Sequence, residues 1–223
     1  MDKLKEDYLI CIPVYRVTER IYKSMESIKD KNVLLVDNSG KKECEVFEKK
    51  YGFQVEYQKE NIGIPRSWNI GLKKNHEWTF IVSSSVLFNK PFSHIIEMLD
   101  NYNGLMFRTT SDWHLCGINK KVVERIGYFD ENFYPGYFEE VDFDHRCKSV
   151  GIKEFKKFEV DVVSQQFGGA FQDGLKFNID GSRSYFNSKW GSDYSWPFND
   201  PTKSIDYWEV NDITTLKKRY NLE

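Results

Sequence analysis

The feature that most restricts the fold is an alternation in the front half of the chain. Short apolar runs rich in β-branched residues are each closed by turn formers and separated by segments with helical spacing. "YLICIPVY" (Tyr8–Tyr15) reads as a buried strand, and Val17, Ile21, Met25 and Ile28 then recur as one face of an amphipathic helix. "NVLLVD" (Asn32–Asp37) is a second strand, closed by Asn38, Ser39 and Gly40. A charged helical segment, Lys42–Tyr51, stops at Gly52 before a third strand, "FQVEYQ" (Phe53–Gln58). A helix over Pro65–Lys74, with proline suited to its first turn, precedes a fourth strand, "WTFIVS" (Trp78–Ser83). Strand and helix in turn at this pitch predict a mainly parallel central sheet flanked by helices, an α/β Rossmann-like arrangement.

Such sheets bind ligands at the carboxyl ends of their strands. Here those ends are Pro13–Arg16, Asp37–Gly40, Glu60–Gly63 and Ser83–Val86, and polar residues and turn formers collect at each. Strand ends are polar in most proteins, so the clustering alone does not decide for a cleft. The second half is less regular. It offers strands at Gly104–Thr109 and His114–Ile118, a helix at Lys120–Ile126, a helix from about Asp142 to Val150, and a late helical pattern at Ile213–Tyr220. The simplest division is one domain over residues 1–223. Residues 1–100 would form a nucleotide-handling half, and 101–223 a half and tail facing a second substrate.

Composition removes several function classes. With 40% hydrophobic and 30% charged residues the chain reads as globular, and its net charge of −2 gives no bulk attraction to nucleic acid or anionic membranes. The four cysteines have no paired spacing of a zinc or redox motif. No apolar run approaches a bilayer span, and the charged N-terminus does not resemble a secretory signal, so a cytoplasmic location is expected.

Three stretches carry candidate chemistry. In "VDNSG" (Val36–Gly40), Asp37 ends a strand, where it can accept hydrogen bonds from a nucleobase or ribose, or close an Asx turn. In "NIGIPRSWNIG" (Asn61–Gly71), Gly63 permits an unusual backbone angle, while Arg66 in a first helical turn and Asn69 beside it can cradle a diphosphate. A surface arginine and a packing glycine would leave the same pattern. In "GYFDENFYPGYFEEVDFDHRCKSVG" (Gly127–Gly151), Glu139 and Glu140 enter a helix start among aromatics, which suits a general base. A capped, salt-bridged surface helix, with Arg146 paired to Asp142, reads equally well from that stretch.

Taken in order, these stretches, with "CIPVYR" before them and "YFNSKWG…WPF" (Tyr185–Phe198) after, resemble the GT-A nucleotide-sugar glycosyltransferases, particularly the family-2-like inverting enzymes. The resemblance implies a nucleotide-sugar donor, with a UDP-sugar favoured, and a glycan or other saccharide acceptor. It implies donor contacts from Pro13, Val14, Tyr15, Asp37, Asn38, Asn61, Gly63, Arg66 and Asn69. Glu139 and Glu140 fall at the family's Glu-Asp pair, whose second member is the base, so Glu140 is expected in that role with Glu139 as the alternative. Trp113, His114, Tyr137 and Phe138 are candidates for the acceptor side, and the aromatics Trp190, Tyr194, Trp196 and Phe198 for a lid or sugar platform, with a plain core role the alternative for all of them.

One departure stands out. Ser83, Ser84 and Ser85 occupy the place of the family's Asp-x-Asp signature, whose last acidic residue holds Mn²⁺ or Mg²⁺. Ser85 is a poor ligand for a hard divalent ion. Where many relatives carry a late histidine, "SQQFGGAF" offers only Gln165 and Gln166. The chain is therefore expected to hold a metal weakly or not at all, or to bind a nucleotide sugar without catalysis. A sugar nucleotidyltransferase is the remaining alternative, against which stands the lack of a glycine-rich loop in "CIPVYRVTER".

Overall fold

The computed structural model describes residues 7–99, 102–109, 112–152, 156–158, 162–164 and 174–191. In the front half the elements are β1 (Tyr8–Val14), α1 (Glu19–Ile28), β2 (Val33–Asp37), α2 (Glu45–Tyr51), β3 (Gln54–Tyr57), α3 (Ile64–Leu72) and β4 (Trp78–Val82). They follow the expected order, with ends shifted by a few residues. After them come β5 (Val86–Phe88), α4 (Ser93–Leu99), β6 (Met106–Thr109), β7 (Asp112–Asn119), α5 (Lys120–Ile126) and α6 (Glu139–Ser149). The last are β8 (Lys156–Phe158), β9 (Val162–Ser164) and α7 (Ile179–Trp190). The late helix expected at Ile213–Tyr220 lies outside the described residues.

A seven-stranded sheet runs β3-β2-β1-β4-β7-β6-β8, and β5 pairs with β9 in a small second sheet. β1, β2, β3 and β4 are mutually parallel, as is β6 with β8, whereas β7 runs antiparallel to both its neighbours. The reversal follows from chain length: β6 and β7 pair across the short step Thr109–Asp112, which can only close a hairpin.

β1 shows how the layers form. Tyr8, Ile10, Ile12 and Val14 point into a core with Ile21, Met25 and Ile28 of α1 and Phe47 of α2. Leu9 and Cys11 point to the opposite face, toward Ile62 and Ile70. A strand buried on both faces reads as continuous hydrophobicity, as this one does. On that second face a Cβ at Gly71 would lie 2.6 Å from the Cys11 side chain, so only glycine lets α3 lie this close to β1. That approach sets the N-terminus of α3 beside the ends of β1 and β2.

α6 begins at Glu139 rather than near Asp142, with Tyr137 and Phe138 turning into it at φ 74° and 72°. Helix α7 was not expected. Asn178 caps it by accepting from the Gly181 N–H, and its buried face is Ser182, Phe186, Lys189 and Trp190. Two polar residues on that face hide the apolar period. Among the described residues no helix is long and apolar enough to cross a membrane.

Candidate functional site

The cleft forms where the strands part. β1 pairs with β2 as far as Val14 and Asp37, but with β4 only as far as Cys11 and Ile81. β4 instead stays with β7, and beyond it the Ser83 N–H donates to the His114 carbonyl at 2.8 Å. α1 leaves β1 toward one face of the sheet and α3 enters β4 from the other. The gap between β1 and β4 is therefore a topological switch point, the usual binding crevice of an open α/β sheet. Pro13, Tyr15, Ser83 and Ser84 line it half-buried, with Val14 and Ser85 buried and Arg16 exposed at its rim.

The loops around the crevice are held by the polar residues singled out above. Asp37 is 1% exposed; one carboxylate oxygen accepts from the Ser39 N–H and hydroxyl at 2.9 and 2.5 Å, the other from the Cys44 N–H at 2.8 Å. It therefore shapes the loop between β2 and α2. Asn38 joins β2 to the next loop, donating to Ser67 Oγ at 2.9 Å and accepting from the Ile62 N–H at 3.2 Å. Asn61 closes an Asx turn onto the Gly63 N–H.

Arg66 and Asn69 do lie on one side of α3, but both face Glu131. Arg66 donates to one Glu131 oxygen at 2.9 Å and Asn69 to the other at 2.9 Å, while Asn69 also exchanges hydrogen bonds with the Phe129 backbone. Burial works to raise the Glu131 carboxyl, and the bonds from Asn69 and Arg66 with the Lys73 charge outweigh it, leaving its pKa below the ordinary range. An anionic ligand would have to compete with Glu131 for Arg66, and Asn69 reaches the cleft only through the segment it holds.

That segment delivers the acidic pair. The Ile64 N–H donates to the Pro135 carbonyl at 2.8 Å, and the Tyr134 hydroxyl to the Asn61 carbonyl at 3.0 Å. Gly63, at φ +83°, makes room: a Cβ there would sit 3.0–3.2 Å from the Tyr134 ring and the Pro135 backbone. Residues 134–138 then run straight into Glu139 and Glu140 at the start of α6. Glu139 is 3% exposed and its Oε2 has no hydrogen-bond partner, while Glu140 is half-buried. Burial, then the neighbouring Glu140, push the Glu139 carboxyl well above the ordinary range. Burial and the charges of Glu140 and Glu139 likewise raise the Tyr137 phenol, marking it as a neighbour of both.

Of the other acceptor-side expectations, Phe138 is buried against Phe186, and half-buried Trp113 packs edge-on to Phe129 and Phe143 under the Arg108 guanidinium. Trp190 is core, packed at a tilt against His145 with ring centroids 3.8 Å apart. Burial pushes that histidine down to about 4. Tyr194, Trp196, Phe198, Gln165 and Gln166 lie outside the described residues.

Sequence reasoning missed the anchor behind the acidic pair. Lys189 of α7 reaches Asp130 at 2.5 Å and Asp142 at 2.6 Å. Asp142 also accepts from Arg146 at 3.0 Å, the pairing its spacing predicted, and from the Trp190 indole. A lysine followed by tryptophan carries no local sign that it is buried.

No protein-family model and no curated protein sequence matches the chain significantly. Solved structures do. The mannosyltransferase PcManGT from Pyrobaculum calidifontis, in complex with GDP-Man and Mn²⁺, superposes at a TM-score of 0.52 and 12% identity, over 69% of this chain and 54% of its own. Glucosyl-3-phosphoglycerate synthase from Mycobacterium tuberculosis, in complex with phosphoglyceric acid, gives 0.58 at 9% identity, over 83% and 79%.

The chain has the GT-A fold.

A Bacillus anthracis protein assigned as a glucose-1-phosphate thymidylyltransferase also matches, at a TM-score of 0.51 and 9% identity, over 78% of this chain and 98% of its own. The present chain spans about half the length of the mannosyltransferase. At the strand ends of the crevice, the described residues of this GT-A chain do not present the donor set a divalent ion needs. At the crevice stand neutral hydroxyls, with Ser83 Oγ and Ser85 Oγ 3.1 Å apart and hydrogen-bonded to each other. Among the described residues no group of three or more His, Cys, Asp or Glu side chains can hold a metal ion.

Proposed function

We propose that this GT-A chain is a sugar transferase that takes a nucleotide-sugar donor, a UDP-sugar by preference, in the β1–β4 crevice. The sugar passes with inversion to a hydroxyl of a saccharide acceptor. The observation that supports the reading is the tie between the Asn61–Ile64 turn and residues 134 and 135, a short step along the chain from the acidic pair Glu139 and Glu140. The fold shared with mannosyl- and glucosyltransferases supports the same class.

In this reading Glu140, half-buried beside a Glu139 whose carboxyl burial holds well above the ordinary range, accepts the acceptor hydroxyl proton. The acceptor oxygen forms its bond to the anomeric carbon from one face as the bond to the diphosphate oxygen breaks on the other. Alignment of the two reactants supplies on the order of 7–11 kcal/mol in well-oriented reactions. Charge on the departing diphosphate accounts for the rest of the demand.

The fold shared with a thymidylyltransferase keeps nucleotidyl transfer as a second reading. The assay is therefore a panel of nucleotide sugars with saccharide acceptors, read for both released nucleoside diphosphate and pyrophosphate-dependent exchange. Glu140→Gln should lower sugar transfer by roughly 10²- to 10⁴-fold while leaving donor binding intact. Near-normal transfer by that variant reassigns the base, and exchange without sugar transfer overturns the function.

A further inference from the structure

We propose that the donor diphosphate is held by Arg16 and the Ser83–Ser85 hydroxyls in place of a divalent ion, an inference that rests on the nucleotide-sugar reading above. Arg16 follows β1 at the switch point, where β1 has already left β4. β1 and β4 are parallel neighbours, so the segments that follow them, Tyr15–Arg16 after β1 and Ser83–Ser85 after β4, leave the sheet at the same edge. The arginine therefore leaves the chain on one wall of the crevice and the serines on the other.

The chemistry of the two walls is complementary to a diphosphate. Arg16 is exposed and lies over the Tyr15 ring at 5.7 Å, and among the described residues no carboxylate pairs with it. Arg66, Arg108 and Arg146 are all committed to Glu131, Asp144 and Asp142. A guanidinium stays charged at any physiological pH and offers two parallel N–H donors to phosphate oxygens. The serine hydroxyls add donors without charge, and each can turn its proton from its neighbour to a phosphate oxygen. A carboxylate at position 85 would need a cation between itself and the diphosphate; a serine there needs none.

The test is titration calorimetry of the full chain with UDP, GDP and dTDP, each in chelator and each with Mn²⁺. The expectation is one nucleotide that binds in chelator, with an affinity Mn²⁺ leaves unchanged. Arg16→Ala should weaken it roughly 10- to 100-fold, the worth of a charge-assisted hydrogen bond, without moving the thermal unfolding midpoint. Ser85→Asp should lose binding in chelator and regain it when Mn²⁺ is added. Binding by the wild-type chain that requires Mn²⁺ overturns the metal-free cradle and leaves the donor reading standing. Unchanged affinity in Arg16→Ala, or Ser85→Asp binding normally in chelator, removes that group from the cradle. No nucleotide binding under either condition refutes the donor reading itself, and the cradle with it.

Discussion

Replacing Lys189 with methionine removes a cation shared by Asp130, ahead of the acidic pair, and Asp142, just after it. The lysine and its partners Asp130 and Asp142 are 6%, 11% and 0% exposed in their side chains, so water cannot take the place of the ammonium. Breaking a buried pair from one side costs about 3–5 kcal/mol. The lower end applies here, because Asp142 keeps Arg146 and the Trp190 indole, and Asp130 keeps the Tyr185 hydroxyl at 2.8 Å. At about 2–4 °C per kcal/mol for a chain of this size, a 3 kcal/mol loss lowers the midpoint by roughly 6–12 °C. The assay is thermal unfolding by circular dichroism of wild type, Lys189→Met, Asp130→Asn and the double variant. If uncompensated charge is the cause, Asp130→Asn in the Lys189→Met background recovers part of the loss, a coupling of about 0.5–3 kcal/mol. Acid should narrow the gap. Burial works to raise Asp130, but the Lys189 charge and its hydrogen bond, with Asn132 and Tyr185, hold its pKa below the ordinary value. That stabilisation is present above the unfolded carboxylate range and is lost as pH falls through the depressed one. A drop of under about 2 °C, or strictly additive losses, refutes the argument.

Two further outcomes follow from the same site. Glu139 has a raised pKa, so the native chain keeps a proton that the unfolded chain releases. Its contribution is most favourable below the unfolded carboxylate range and declines as pH rises toward the raised value, by at most about 1.4 kcal/mol per pH unit. Glu139→Gln should therefore gain stability over wild type as pH rises above the unfolded carboxylate range, and parallel pH profiles would contradict this. Gly63→Ala sets a Cβ against Tyr134 and Pro135 at a φ of +83°. It should cost about 1–3 kcal/mol, read as a lower urea midpoint at unchanged m, and an unchanged midpoint would show that the 134–138 loop can yield.

Much of the front half was legible in sequence because its signals are local. β1, β2 and β4 are buried on both faces, so each is a continuous apolar run. Asn38, Gly52 and Gly63 punctuate those runs with turn chemistry read within a few residues. The later elements gave less, for two physical reasons. β5, β8 and β9 are too short to carry a period. In α7, Ser182 and Lys189 take inward positions that an amphipathic pattern assigns to apolar residues.

Sequence by itself determined the α/β alternation, the polar strand ends, the neutral hydroxyls at Ser83–Ser85 and an acidic pair at a helix start. Each depends on residues within one or two turns or strands. Tertiary structure alone decided that β7 enters antiparallel beside β4 and that Arg66 is spent on Glu131. It also decided between the two readings of Asp37 in favour of the loop, and that Lys189 anchors two aspartates while Arg16 stays exposed beside the Tyr15 ring. The pairings of Arg66 and Lys189 depend on which charges meet across long stretches of chain. A charge buried beside a distant partner has the same local sequence as one left in water.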